Sequence, residues 1–167
     1  MNRFVALFLL ILVVLFTLEM QTAVQLAVVE PFTASLAKVS AALITPFDDS
    51  VLAYGKVLQF GPGGFAVSIE AGCNGVEATI VLFSAILAFP APWRSKLVAM
   101  LIGFLAIQVA NIARIITLFY LGAWNIDIFT WVHLYLWPVL IMIDVMLVFI
   151  LYLRHLSRQN ESEPVSA

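Results

Sequence analysis

The chain has 167 residues, of which 63% are hydrophobic and 11% charged, and its formal net charge is −2. Soluble domains carry about a quarter charged residues, so this composition indicates an integral membrane protein with a single domain. The weakly acidic balance excludes the polybasic surface that nucleic-acid binding requires. A single cysteine excludes an internal disulfide and a multi-cysteine metal site.

The first apolar run, residues 4–18, follows a short start that contains Arg3. A membrane-spanning helix needs about twenty residues. Because residues 17–23 lack the small-residue cleavage site of a secretory signal, we predict an uncleaved span over residues 4–23.

Residues 24–74 are predicted to form a periplasmic insert between the first and second spans. Apolar residues recur at spacings of three and four after Pro31, which predicts an amphipathic helix at the membrane surface or against the bundle. These residues are Phe32, Leu36, Val39 and Leu43. Residues 51–60 and 65–69 are strand-like on either side of a glycine-rich turn at 61–64, so we expect a small β-hairpin outside the hydrocarbon.

The remaining spans are predicted at residues 75–89, 97–120 and 134–153. The expected fold is therefore an all-α integral membrane protein with four transmembrane helices in one domain, residues 1–153, and a polar, disordered cytoplasmic tail, 154–167. Asn74 and Glu77 have the spacing of a capping box, so the second span begins at Asn74 and Cys73 lies just before its N-terminus.

The distribution of basic residues sets the orientation. Residues 19–74 carry only two lysines and residues 121–132 carry no Lys or Arg, whereas five basic residues fall on one side of the four-span arrangement. Those five are Arg3, Arg94, Lys96, Arg154 and Arg158. By the positive-inside rule both termini are cytoplasmic, and the outer end of the third span shares the exterior with Cys73 and His133.

Cys73 is the first candidate for chemistry. A thiol is nucleophilic as the thiolate, which a helix N-terminus favours, and Gly72 and Gly75 allow close backbone approach. The alternative is a thiol that packs as a small hydrophobe.

Arg114 lies within the third span, where a charge is costly and indicates function. It continues a polar stripe on one helix face with Gln108 and Asn111. The alternative is that Arg114 extends to the lipid headgroups, although the short Asn111 side chain cannot. Asp144 lies mid-span, and we expect it to pair with a polar group inside the bundle, for which Gln108 is a candidate.

His133 opens the fourth span and is suited to act as a base near neutral pH. A cysteine nucleophile is usually activated by an adjacent histidine. The alternative is an interfacial histidine within an aromatic belt, since four aromatic residues lie near it in sequence. These are Trp124, Trp131, Tyr135 and Trp137.

Three motifs together resemble the exosortase/archaeosortase family of multi-span cysteine transpeptidases: Cys73-Asn-Gly75 before a span, Asn111-Ile-Ala-Arg-Ile115 near the outer end of the next, and His133 at the last. The likeness covers residues 65–153, and the small size of the chain is most like exosortase H. The resemblance places the family's nucleophile on Cys73, its arginine on Arg114 and its histidine on His133.

The implied enzyme is a cysteine transpeptidase of the bacterial cytoplasmic (inner) membrane whose active site faces the periplasm. It needs no cofactor or metal, and it cleaves C-terminal sorting signals of secreted proteins through a thioacyl-enzyme. Such a signal comprises a short motif, a transmembrane helix and a basic cluster. Gly72, Asn74, Gly75 and Asn111 are expected to support the site, and residues 51–70 to hold the motif by strand addition.

Two other functions fit the same sequence. A transport or channel subunit would use the polar residues within the spans as a path between helices. A small assembly protein would use them only to hold helices together. Neither function needs a reactive Cys73 or His133.

Overall fold

The computed structural model describes the backbone of residues 2–162 and the side chains of residues 3–158. The helices are α1 (Asn2–Glu19), α2 (Thr22–Val24), α3 (Glu30–Ile44), α4 (Val76–Ala88), α5 (Trp93–Trp124), α6 (Ile126–Trp131) and α7 (Trp137–Ser162). The strands are β1 (Val51–Tyr54), β2 (Val57–Phe60) and β3 (Ala66–Ser68). Two π-helical turns, Gln25–Val29 and Val132–Leu136, join α2 to α3 and α6 to α7.

Three helical stretches in the described chain are long and apolar enough to cross a membrane: Thr22–Ile44, Trp93–Trp124 and Ile126–Arg158. The last two contain the spans predicted at 97–120 and 134–153. Helix α4 has 13 residues, which is about 20 Å and shorter than the roughly 30 Å hydrocarbon core. Helix α1 has 18 residues, and its role as a span remains a prediction.

The stretch Thr22–Ile44 differs from the predicted amphipathic surface helix, because it is continuous and meets the length and hydropathy of a span. Its buried face is also different. Val39 and Leu43, which belong to the predicted apolar face, are exposed, whereas small residues such as Ala37 and Ser40 are buried. Helices in lipid pack through small residues that allow close approach, and their large apolar side chains face the hydrocarbon.

The expected hairpin is a three-stranded antiparallel sheet in the order β1-β2-β3. The predicted strand 51–60 divides at Gly55, whose φ of 55° is in the left-handed region and is suited to a tight turn. Val51 therefore pairs with Phe60. The glycine-rich segment 61–64 connects β2 to β3, so the predicted turn is present but is the second of two.

The linker predicted at 121–132 is mostly helical. Only Asn125 interrupts it, and its side-chain oxygen accepts hydrogen bonds from the N–H groups of Asp127 and Ile128 at 2.9 and 3.1 Å, which caps α6. Helix α7 continues to Ser162, so most of the predicted disordered tail is helical. Residues 163–167 lie outside the described part.

The sheet packs against α3 and the C-terminal half of α5, and we call this the sheet end of the bundle. The core there joins Leu36, Leu58 and Ile69 to Ile115 and Phe119 on α5. Phe119 stacks on Phe60 of β2 with ring centroids 4.3 Å apart. A second core farther along the bundle joins α4, α5 and α7, so α5 connects both.

Gly75 is the point of closest approach between the start of α4 and α5. Its φ is 76°, and a Cβ atom there would lie 2.9 Å from Gln108 Nε2 and 3.3 Å from Ile107 Cγ2. Gly55 provides a matched comparison, because its φ is also positive but no atom lies within 4 Å of a Cβ built on it.

We predict that Gly75→Ala destabilises the protein more than Gly55→Ala. Both substitutions force alanine into the left-handed region, which costs about 1–2 kcal/mol, whereas only Gly75→Ala adds overpacking of about 1–3 kcal/mol. Thermal unfolding of the detergent-solubilised variants measures the difference. Equal losses of thermal stability would show that overpacking against α5 does not destabilise the Gly75→Ala variant.

Candidate active site

Cys73 lies in a tight turn that leads directly from β3 to α4. The turn is closed by a hydrogen bond from the Cys73 N–H to the Glu70 carbonyl at 2.9 Å. Gly72 occupies its third position with φ of 82°, the geometry of a type II turn, which favours glycine. The sheet and the helix thus fix both sides of the thiol.

The residues after the turn hold it against α4. The Gly72 N–H donates to Glu77 Oε1 at 2.5 Å, and the Val76 N–H donates to Asn74 Oδ1 at 3.0 Å. The predicted capping box is therefore shifted by one residue: the helix begins at Val76, and Glu77 accepts from Gly72 rather than from Asn74. The reason is that Gly75, in the left-handed conformation, occupies the N-cap.

Asn74 is fully enclosed, with 1% of its surface exposed. Its amide nitrogen donates to the Thr33 hydroxyl of α3 at 3.2 Å. The Cys73 turn is thus tied to the stretch Thr22–Ile44 as well as to α4.

Arg114 reaches the turn from α5. Its Nη1 donates to the Gly72 carbonyl at 3.0 Å, and its Nη2 donates to Cys73 Sγ at 3.4 Å. The side chain is 7% exposed, so the alternative of an arginine extended to the lipid headgroups is wrong.

The Arg114 charge has no acidic counterpart in direct contact. In the part of the chain that the structure describes, Lys56–Glu70 is the only ion pair. Arg114 Nε is buried and also has no hydrogen-bond partner among those residues. A buried, uncompensated cation favours any negative charge that forms beside it, and the nearest group able to acquire one by losing a proton is the Cys73 thiol.

His133 lies in the second π-helical turn, a feature often found at functional sites. Its ring stacks on Phe129, with centroids 5.5 Å apart and planes 5° from parallel. His133 Nδ1 is buried and has no hydrogen-bond partner within the described residues. A buried ring nitrogen without a partner is costly. The nitrogen is therefore suited to form a hydrogen bond with a group that enters the site.

One cavity of about 150 Å³ brings the three predicted residues together. Its wall includes Cys73, Arg114 and His133, and strand β3 with the following residues forms one side of it. No group of three or more His, Cys, Asp or Glu side chains in the described chain is arranged to hold a metal ion.

Burial raises the pKa of the Cys73 thiol above its ordinary value. Arg114 lowers that pKa in part, while Glu77 and Glu70 raise it further. Removal of the thiol from water therefore outweighs the nearby positive charge of Arg114.

The polar stripe on α5 is buried as predicted. Asn111 is fully buried, and neither of its amide atoms has a partner in the described part. Asn111 and Arg114 line a second cavity of about 210 Å³, next to Glu77. Gln108, the candidate partner of Asp144, does not bond it, because the Gln108 amide atoms and Asp144 Oδ2 are buried with no hydrogen-bond partner among the described side chains.

Two contributors were missed from the sequence. Glu77 was interpreted only as a helix cap, although it holds Gly72 and influences the Cys73 pKa. Phe129 was not singled out, although it stands four residues before His133, a spacing that places two side chains on one helical face.

Comparison with known proteins identifies the family of the chain. The family model described as "Transmembrane exosortase (Exosortase_EpsH)" matches residues 2–152. No curated protein and no solved structure matches the chain. A match over nearly the whole length shows that this membrane protein belongs to the transmembrane exosortase family.

Proposed function

We propose that this exosortase is a cysteine transpeptidase that cleaves C-terminal sorting signals of secreted proteins at the outer face of the bacterial cytoplasmic membrane. The observation that carries the proposal is the contact of Arg114 with Cys73 Sγ, in a cavity that His133 also lines. A path for ion transport does not require the contact between Arg114 and Cys73. That contact holds the Arg114 guanidinium against the thiol and its turn.

The proposed reaction begins when His133 takes the Cys73 proton and the thiolate attacks the carbonyl carbon of the scissile peptide bond. The tetrahedral intermediate collapses, the C–N bond breaks, and His133 returns the proton to the leaving amine. The product is a thioester on Cys73. An acceptor, either water or an amine, then loses its proton to His133 and displaces the sulfur as a thiolate. His133 returns that proton to the sulfur, which restores the Cys73 thiol and the neutral histidine.

Arg114 is the proposed stabiliser of the oxyanion. A preorganised positive charge in a site that excludes water is worth more than the same charge in solution. The N–H groups of Asn74 and Gly75 supplement it, since neither has a hydrogen-bond partner among the described residues. An N–H that follows the nucleophile serves this role in other acyl-transfer enzymes.

The outward orientation is part of the proposal. It rests on the basic residues Arg94 and Lys96, which lie at the far end of α5 from Arg114. Arg94 and Arg114 are twenty positions apart, which is about 30 Å of helix and equals the hydrocarbon thickness. With Arg94 at the cytoplasmic face, Arg114 and Cys73 lie at the opposite face.

The outer edge of β3 is the proposed binding edge for the substrate chain. The Phe60 N–H donates to the Phe65 carbonyl, and the Ile69 N–H donates to the Lys56 carbonyl. The backbone groups of Phe65 and Ile69, which flank β3, therefore face β2 and its flanking residues. Because backbone groups alternate along a strand, those of Ala66 and Ser68 face away from it. Both residues are exposed, and Ser68 lines the cavity that contains Cys73. An extended peptide added here would bring its carbonyl groups toward the thiol.

We predict that Cys73→Ala and Cys73→Ser abolish processing of a co-expressed secreted protein that carries a C-terminal sorting signal. The alanine variant has no nucleophile, and a serine hydroxyl in this site lacks the acidity of a thiol. The substrate's size on an immunoblot measures processing. Ser35→Ala is the control, since Ser35 is exposed on α3 and its hydroxyl donates to the nearby Phe32 carbonyl. Continued processing by Cys73→Ala at normal protein level would overturn the proposal that this protein is a cysteine transpeptidase.

We predict that the reactivity of Cys73 rises with pH and that Arg114 sets the midpoint. Because burial raises the pKa of this thiol, its alkylation by iodoacetamide should keep increasing above the pH at which a free cysteine is fully ionised. Arg114→Gln removes a cation that lowers the pKa, so the midpoint should move to higher pH. Arg114→Lys keeps the charge and should shift it less. Mass spectrometry follows the single cysteine, and an unchanged midpoint in Arg114→Gln would contradict the contact.

We predict that Ala66→Pro lowers substrate processing at least about tenfold, the factor expected for loss of a main-chain hydrogen bond to substrate. Proline removes the outward N–H, and an edge strand tolerates it. Ala66→Ser keeps the N–H and should process normally. Cys73 alkylation, which needs no substrate, should be unchanged in both. Equal processing by the two variants would exclude strand addition while leaving the cysteine mechanism intact.

A further inference from the structure

A second candidate site lies at the other end of the bundle from Cys73, between the start of α5 and the end of α7. A cavity of about 390 Å³ opens there. Its residues fall into two groups along the helices. Arg94 and His155 stand at the helix ends, and Val98, Ile102 and Leu151 form an apolar wall farther along the same helices.

The polar part of this cavity attracts an anion. Arg94 lies in the first turn of α5, and the N-cap residue of that helix makes no side-chain cap hydrogen bond, so the positive end of the helix dipole adds to the arginine charge. His155 lies on the same wall, and no acidic side chain among residues 3–158 lines the cavity.

Tyr152 gives an independent indication of a ligand. Its side chain lines the cavity and is 5% exposed. Its hydroxyl is buried and has no hydrogen-bond partner in the described residues. The ring packs against Phe89 and Phe149. A buried hydroxyl without a partner is costly, and a ligand oxygen would satisfy it.

The depth of the cavity identifies the class of ligand. Both helices belong to stretches that are able to cross a membrane, and Arg94 is about 30 Å of helix from Arg114. The polar group therefore lies at the headgroup level, and the apolar wall extends from it into the hydrocarbon. A free phosphate would use only the polar group of residues, whereas a phospholipid uses both the polar group and the apolar wall.

We propose that this cavity binds an anionic glycerophospholipid. Its phosphate accepts from Arg94, from the α5 N-terminus and from the Tyr152 hydroxyl, and one acyl chain lies along Val98, Ile102 and Leu151. Because the π-helical turn that carries His133 leads directly into α7, the bound lipid would hold α7 against α5, the helix of Arg114. The proposal does not depend on the reaction at Cys73.

The test is lipid retention by the full chain, purified in detergent and measured by native mass spectrometry with dioleoyl phosphatidylglycerol. Dioleoyl phosphatidylcholine is the comparison lipid, and glycerophosphate is the headgroup without chains. We expect retention of phosphatidylglycerol at least about tenfold above phosphatidylcholine, since the choline charge opposes Arg94. Glycerophosphate should not be retained at the same concentration.

Two variants locate the site. Arg94→Gln should lower retention of phosphatidylglycerol about tenfold, and Tyr152→Phe, which removes one oxygen, should lower it about threefold. Arg158→Gln is the matched control, because Arg158 is a basic residue at the same end that does not line the cavity. Unchanged alkylation of Cys73 would show that the variants fold.

Three results would overturn the proposal. The first is retention by Arg94→Gln and Tyr152→Phe equal to that of Arg158→Gln. The second is equal retention of the two lipids. The third is retention of glycerophosphate as strong as that of the intact lipid, which would indicate a site for a small anion.

Discussion

The guanidinium of Arg114 is the interaction on which the site depends. It joins a membrane helix to a loop through the Gly72 carbonyl and the Cys73 sulfur, and it is almost completely buried. Burying a cation without a carboxylate in contact is expensive. This cost is consistent with the proposed reaction, in which the balancing negative charge appears on the thiolate and then on the oxyanion. A site that already held a carboxylate against Arg114 would gain less from either charge.

Several local features serve to hold the Cys73 turn in reach of Arg114. Gly72 and Gly75 adopt backbone angles that other residues avoid, Glu77 accepts from the turn, and Asn74 fastens it to Thr33. Because these contacts come from α3, α4 and the turn itself, the position of the thiol is determined by the packing of the bundle. The sheet contributes as well, since β3 leads into the turn without an intervening loop.

Much of this site is predictable from the sequence, because it depends on chemically costly residues. An arginine within a span, an asparagine three residues before it and a lone cysteine beside two glycines each require an explanation, and all three lie at one site. What the sequence does not show is mostly how closely the helices and strands pack against one another. The exposed Val39 and Leu43 follow from helix packing in lipid, and the division of residues 51–60 depends on a single glycine. The pKa of Cys73 could not be predicted from the N-terminus of α4, because burial depends on how closely β3 and α5 approach the thiol.

The raised pKa of Cys73 bears on how the proposed enzyme avoids unwanted reactions. In the resting site burial holds the thiol protonated against the influence of Arg114, and the buried Nδ1 of His133 has no partner in the described chain. A thiol in this state is a poor target for oxidants and stray electrophiles, since those attack the thiolate. A peptide carbonyl bound in the cavity changes the balance between thiol and thiolate. Proton transfer to His133 then leads to a bond between the sulfur and the carbonyl carbon, and to an oxyanion beside Arg114. The same burial that disfavours the free thiolate thus strengthens the stabilisation of the charge that replaces it.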